Sequence, residues 1–144
     1  MTNDPNRGRT IRALIADDEP LARARLRGLL SREDGVEIVA EAGDGQAALL
    51  ACDHHRPDLV MLDIRMPGMD GLAVARELAG QAAPPLLVFC TAFDAHALSA
   101  FETAALDYLV KPVRPERLAE ALRRARARLG LAPPASTAQI STRN

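Results

Sequence analysis

The stretch Leu59-Val-Met-Leu-Asp-Ile-Arg-Met-Pro-Gly-Met-Asp-Gly71 decides the fold. Its first four residues form an unbroken apolar run, short and without polar alternation, as in a strand covered on both faces. A carboxylate, Asp63, closes the run. Pro67-Gly68 then supplies turn chemistry, and Asp70 stands where it can cap a helix beginning near Gly71. Strand, charged strand end, turn and helix make one unit.

The same unit recurs on either side. Strands are expected at Ile11 to Ala16, Val36 to Ala40, Leu59 to Leu62, Leu86 to Cys90 and Asp107 to Val110. Helices are expected from near Pro20, Gly45, Gly71, Asp94 and Pro115. Asp18 or Glu19, Asp44, Asp70 and Asp94 are placed to cap them, and Pro20 and Pro115 suit a first turn. Short apolar runs alternating with amphipathic stretches predict an α/β fold with a parallel five-stranded sheet wound with helices. In the last helix, Leu118, Ala121, Leu122, Ala125 and Leu129 make one apolar stripe for the sheet. Arg117, Arg123, Arg124, Arg126 and Arg128 lie on its other face, available to an acidic partner, a phosphate backbone or water.

At 144 residues the chain has room for one domain, expected over 11–129, between a flexible tail at 1–10 and a linker or flexible tail at 130–144. With 48% hydrophobic and 26% charged residues it has the composition of a globular protein. No apolar run approaches the length of a membrane span, and the first ten residues contain no secretory signal, so the expected compartment is the cytoplasm. Two cysteines, Cys52 and Cys90, make a disulfide framework or zinc site an unattractive reading. A formal net charge of −1 lacks the basic field of a nucleic-acid binder. Lys111 is the single lysine among 18 basic residues.

Four of the five apolar runs end on a side chain with chemistry: Asp17-Asp18, Asp63, Thr91 and Lys111. Ligands of an open parallel sheet bind at the carboxyl ends of its strands, where strand order reverses. With the order 2-1-3-4-5, the first and third strands meet at that point and three carboxylates share one mouth. Taken singly, each residue also has a plain structural reading: Asp17, Asp18 and Thr91 as helix caps, Asp63 and Lys111 as turn residues. Taken together, three carboxylates raise one another's pKa unless a cation neutralises them. Magnesium fits, with Asp18 and Asp63 as ligands and Asp17 acting through water. Asp63 can then attack phosphorus to give an aspartyl phosphate, with Lys111 and Thr91 meeting the phosphoryl oxygens.

These residues resemble a response-regulator receiver domain in Asp17-Asp18, the segment from Asp63 to Gly71, Thr91-Ala92 and Lys111-Pro112. The resemblance covers about Ile11 to Leu129 and implies a flavodoxin-like doubly wound (βα)5 receiver fold, sheet order 2-1-3-4-5. It implies that Asp63 takes a phosphoryl group from a sensor histidine kinase. It also implies that the backbone carbonyl of Arg65 joins Asp18 and Asp63 around Mg2+, and that Lys111-Pro112 is cis. Thr91 and Tyr108 would be the switch pair, Tyr108 turning inward when Thr91 moves.

From Phe89 to Val113 the sequence is similar to the LytR/AlgR group, whose members carry a LytTR-type DNA-binding domain after the receiver. The implied output is transcription control through a domain absent from these residues. Binding by a partner, or homodimerisation, would use the face of the fourth helix, fifth strand and last helix, with Leu98, Ala104 and the arginine face of the last helix as candidate contacts. A stand-alone receiver acting by docking or phosphorelay is the alternative. An aspartyl-phosphate phosphatase is the alternative from the enzyme class, but it would want Asp-x-Asp after the first strand. The expectation is a phosphoacceptor switch and not a turnover enzyme.

Overall fold

The computed structural model describes residues 9–92 and 105–134. Ile11–Ala16 (β1), Val36–Ala42 (β2), Leu59–Leu62 (β3), Leu86–Thr91 (β4) and Asp107–Val110 (β5) form one parallel sheet in the order β2-β1-β3-β4-β5. Pro20–Ser31 (α1), Gly45–His55 (α2), Gly71–Ala79 (α3) and a C-terminal helix, Pro115–Leu129, are the helices among the described residues. The helix expected from Asp94 lies outside them, as do Leu98 and Ala104. None of these helices is long and apolar enough to cross a membrane.

The unbroken apolar run of β3 has the cause inferred for it. Leu59 and Met61 face one core layer with Leu26, Leu29 and Leu30 of α1 and Leu118 and Leu122 of the C-terminal helix. Val60 and Leu62 face the other layer, with Ala48 and Cys52 of α2 and Val74 and Leu78 of α3. All four β3 side chains are at most 1% exposed, and each buried leucine contributes about 1.5–3 kcal/mol relative to an exposed one. Burial pushes the Cys52 thiol up to about 11 and raises that of Cys90 as well, so both behave as small apolar fillers.

Strand and helix ends follow local chemistry, with small corrections. β2 runs on to Ala42 because its pairing with β1 continues through Ala16↔Ala42, and β4 takes in Thr91 opposite Val110. Asp44 and Asp70 cap α2 and α3 by accepting from the N–H groups of Ala47 (2.8 Å) and Ala73 (2.9 Å). Neither Asp18 nor Glu19 caps α1: Glu19 holds the cap position without a side-chain bond. Instead the Glu19 N–H donates to Oδ1 of Asp17 at 2.9 Å.

The arginine face of the last helix needs a larger correction. Arg126 is not on a solvated face but 6% exposed, and among the described residues no carboxylate pairs with it. Its guanidinium donates to the carbonyls of Ala132 (2.8 Å), Gly35 (3.1 Å) and Arg9 (2.7 Å). Burial alone lowers its pKa. Arg9 and Ala132, both assigned to tails by the sequence, are thereby held to the domain, and Leu131 joins the core. Arg126→Met should cost about 1–3 kcal/mol, because the half-buried carbonyls of Arg9 and Ala132 lose this donor while that of Gly35 keeps only the Ile11 N–H. A urea midpoint close to wild type would contradict this.

Candidate functional site

The acids sit where main-chain hydrogen bonding carries the sheet one residue past its strands. The Asp17 N–H donates to Ala42 O at 3.0 Å, and the Asp63 N–H to Ala16 O at 2.9 Å. Both side chains are therefore fixed at adjacent strand ends, 3% and 6% exposed, while Asp18 is open to solvent. One carboxylate oxygen from each of Asp17, Asp18 and Asp63 lies within 4.8 Å of the others.

Lys111 reaches them from the far side of the sheet. Its N–H donates to Thr91 O at 2.8 Å, and its peptide bond to Pro112 is cis. Its Nζ stands 2.8 Å from Asp17 Oδ2, 3.2 Å from Asp63 Oδ2 and 3.9 Å from Glu19 Oε1. Burial raises the pKa of Asp63 and Asp17 adds to the effect, against the pull of Lys111 and of the Arg65 N–H. Burial works against the charge of Lys111, but its hydrogen bond to Asp17 and the charge of Asp63 outweigh this and raise its pKa. The group is a cation held between two carboxylates.

A cavity of about 450 Å³ opens above this group, lined by Asp18, Glu19, Asp63, Arg65, Thr91 and Lys111 among others. Thus Asp17, Asp18, Asp63, Thr91 and Lys111, which the sequence places at four different strand ends, come together. Tyr108 does not line this cavity. Its ring stacks on Phe89 at 5.8 Å and 12°, and it borders a separate outer cavity beside β5.

Two features were missed by sequence reasoning. Glu19 belongs to the cavity as well as to the start of α1, and the run Asp17-Asp18-Glu19 was its signal. Gly71 is required by close approach: a Cβ there would run into the backbone carbonyl of Asp63. Its N–H donates to Ile64 O at 2.8 Å, so α3 begins pressed against the loop that presents Asp63.

A doubly wound parallel sheet carrying a three-carboxylate cluster, a threonine and a lysine at its carboxyl edge defines the receiver class. Residues 13–123 match the response regulator receiver domain profile, and the chain belongs to that family. It is 55% identical over 113 residues to the positive alginate biosynthesis regulatory protein of Pseudomonas aeruginosa, covering 78% of this chain and 46% of that protein. It is 47% identical over 119 residues to the transcriptional regulatory protein BtsR of Salmonella typhi, covering 81% and 48%. With the sensory transduction protein LytT of Bacillus cereus the identity is 43% over 114 residues, covering 79% and 46%. These relatives agree with the LytR/AlgR resemblance. The chain spans about half the length of the curated relatives it matches. Among solved structures, the response regulatory domain of protein mrkE from Klebsiella pneumoniae superposes with a TM-score of 0.74 at 34% identity, covering 81% of this chain and 96% of that one.

Proposed function

We propose that this chain is the phosphoacceptor of a two-component pathway, and that Asp63 receives a phosphoryl group from a sensor histidine kinase. The observation that carries the reading is the Lys111 ammonium lying between Asp17 and Asp63 at the floor of an open cavity. In the transfer, an Asp63 carboxylate oxygen forms the new O–P bond as the P–N bond to the kinase histidine breaks, the histidine nitrogen keeping the electron pair. Lys111 and Thr91, which line the cavity beside Asp63, would meet the phosphoryl oxygens. Asp17 has one oxygen on the Glu19 N–H and the other on Lys111, which suits a supporting role for it.

The donor set fits Mg2+. Three carboxylates against one ammonium leave two negative charges, and Asp18 faces the open cavity. Asp18, Asp63 and the backbone carbonyl of Arg65 would hold the ion, with Asp17 acting through water. The ion would offset charge on the carboxylates and phosphoryl oxygens.

Phosphorylation then shifts a pre-existing equilibrium in which Thr91 and Tyr108 rearrange and the face around β5 and the C-terminal helix changes its partner or pairs with a second copy. Relatives named as transcriptional regulatory proteins, of whose length the match covers about half, support transcription control through a further DNA-binding domain as the output. The decisive measurement is intact mass after treatment with a small phosphodonor. One adduct that requires magnesium is expected, and no adduct in magnesium would defeat the proposal.

A further inference from the structure

Tyr108 lies in β5, the last strand of the sheet, so its main chain borders an open edge. Its N–H donates to Asp107 Oδ1 at 2.8 Å. Its carbonyl accepts from Arg117 Nη2 at 3.1 Å, and the same nitrogen donates to Asp107 Oδ1 at 3.0 Å. Arg117 Nη1 donates to Glu120 Oε1 at 2.9 Å, which braces the guanidinium from its own helix. Asp107 is 8% exposed and also pairs with Arg124 Nη1 at 3.2 Å. Thus both backbone polar groups of Tyr108 are held by a single ion pair reaching from the C-terminal helix. A planar guanidinium can serve a carboxylate and a carbonyl together, whereas a lysine ammonium is a point charge without that fork.

Which rotamers a ring can take depends on its backbone dihedrals, so a hold on both peptide groups is a hold on the ring. We propose that Arg117, acting with Asp107, is a positioning residue for Tyr108: it fixes the peptide groups on both sides of the ring, so that a change at Asp63 is read out as rotation of Tyr108 rather than as a shift of the edge strand. This rests on the phosphoacceptor reading given above. Arg117 touches none of the reacting groups and acts through Tyr108 alone.

The chain offers a direct readout, because Tyr108 is its one tyrosine and it has no tryptophan. Intrinsic fluorescence and its quenching by acrylamide therefore report on this ring. The experiment compares the 144-residue wild type with Arg117→Met, Arg117→Lys and Arg124→Met, before and after a small phosphodonor with magnesium. Far-UV circular dichroism monitors the fold, and intact mass monitors the adduct. In wild type the quenching of Tyr108 should change on phosphorylation. Arg117→Met should alter quenching in the resting state and lose most of the phosphorylation-dependent change while Asp63 still takes its adduct, and Arg117→Lys should restore only a minor part. Arg124→Met removes a charge from Asp107 without touching the Tyr108 main chain, and should behave as wild type.

Wild-type quenching in both states of folded Arg117→Lys would overturn the inference even if Arg117→Met fails to fold. An effect of Arg124→Met equal to that of Arg117→Met would also overturn it, since the effect would then be general electrostatics. A wild type that takes no adduct overturns the phosphoacceptor reading and this inference with it. The mass measurement tells that result apart from one in which the adduct forms and Tyr108 ignores Arg117.

Discussion

Asp63→Asn is expected to take up no phosphoryl group under conditions where the wild-type chain takes one, as read by intact mass. The substitution is nearly isosteric, so the Asp63 main-chain bond to Ala16 and the approach of Lys111 can persist. What is lost is the anionic oxygen that, on the phosphoacceptor reading, attacks phosphorus. Asp17 is not expected to take its place, because both of its oxygens are already engaged and, unlike Asp63, it does not line the open cavity. Asp18 is exposed, so an adduct that merely moved to Asp18 would show that the cavity and not the Lys111-linked carboxylate selects the acceptor. An unchanged adduct on Asp63→Asn would reject the assignment altogether.

The second large effect concerns two glycines that look alike in sequence, each lying within a helix. Gly71→Ala pushes a methyl group into the Asp63 carbonyl, a main-chain atom that moves only by shifting the loop. Overpacking of this kind costs about 1–3 kcal/mol and sometimes more, and here it also displaces Asp63, the proposed acceptor. A lower urea midpoint together with slower adduct formation is therefore expected. Gly28 of α1 has nothing within 4 Å of an added Cβ. Gly28→Ala should raise stability by about 0.5–1 kcal/mol and leave adduct formation alone. Opposite signs in the two midpoints are the signature; two losses of equal size would mean that helix propensity is irrelevant to both.

How far the sequence could be read depended on whether a residue was marked by its place along the chain or by what lies opposite it in space. Asp63, Thr91 and Lys111 were legible because each closes an apolar run, and parallel topology sends run ends to one edge. The parallel sheet could be read because continuous runs such as Leu59–Leu62 need cover on both faces, whereas its order came only with the resemblance to receiver domains. Arg117 and Arg126 were not legible in the same way. A helical wheel places both among five arginines, and nothing local tells which one meets carbonyls of Gly35 and Arg9 or the main chain of Tyr108. Gly71 was visible as a helix start, while its obligatory smallness depends on the return of the chain against Asp63. The capping of α1 went astray for a related reason: Asp17, bound to Lys111, also accepts the Glu19 N–H, and Glu19 in the cap position lines the cavity without making a capping bond.

Arg126 grips Arg9 and Gly35, which precede β1 and β2, whereas Asp17 and Asp63 follow β1 and β3. In a parallel sheet those are opposite poles, separated by the length of a six-residue strand, about 20 Å. The entering and departing segments are thus moored at one knot far from the chemistry. The chain at Ala132 therefore leaves the sheet at the pole opposite the acids. On the phosphoacceptor reading, a change at Asp63 has the length of the sheet to cross before it is felt at that knot.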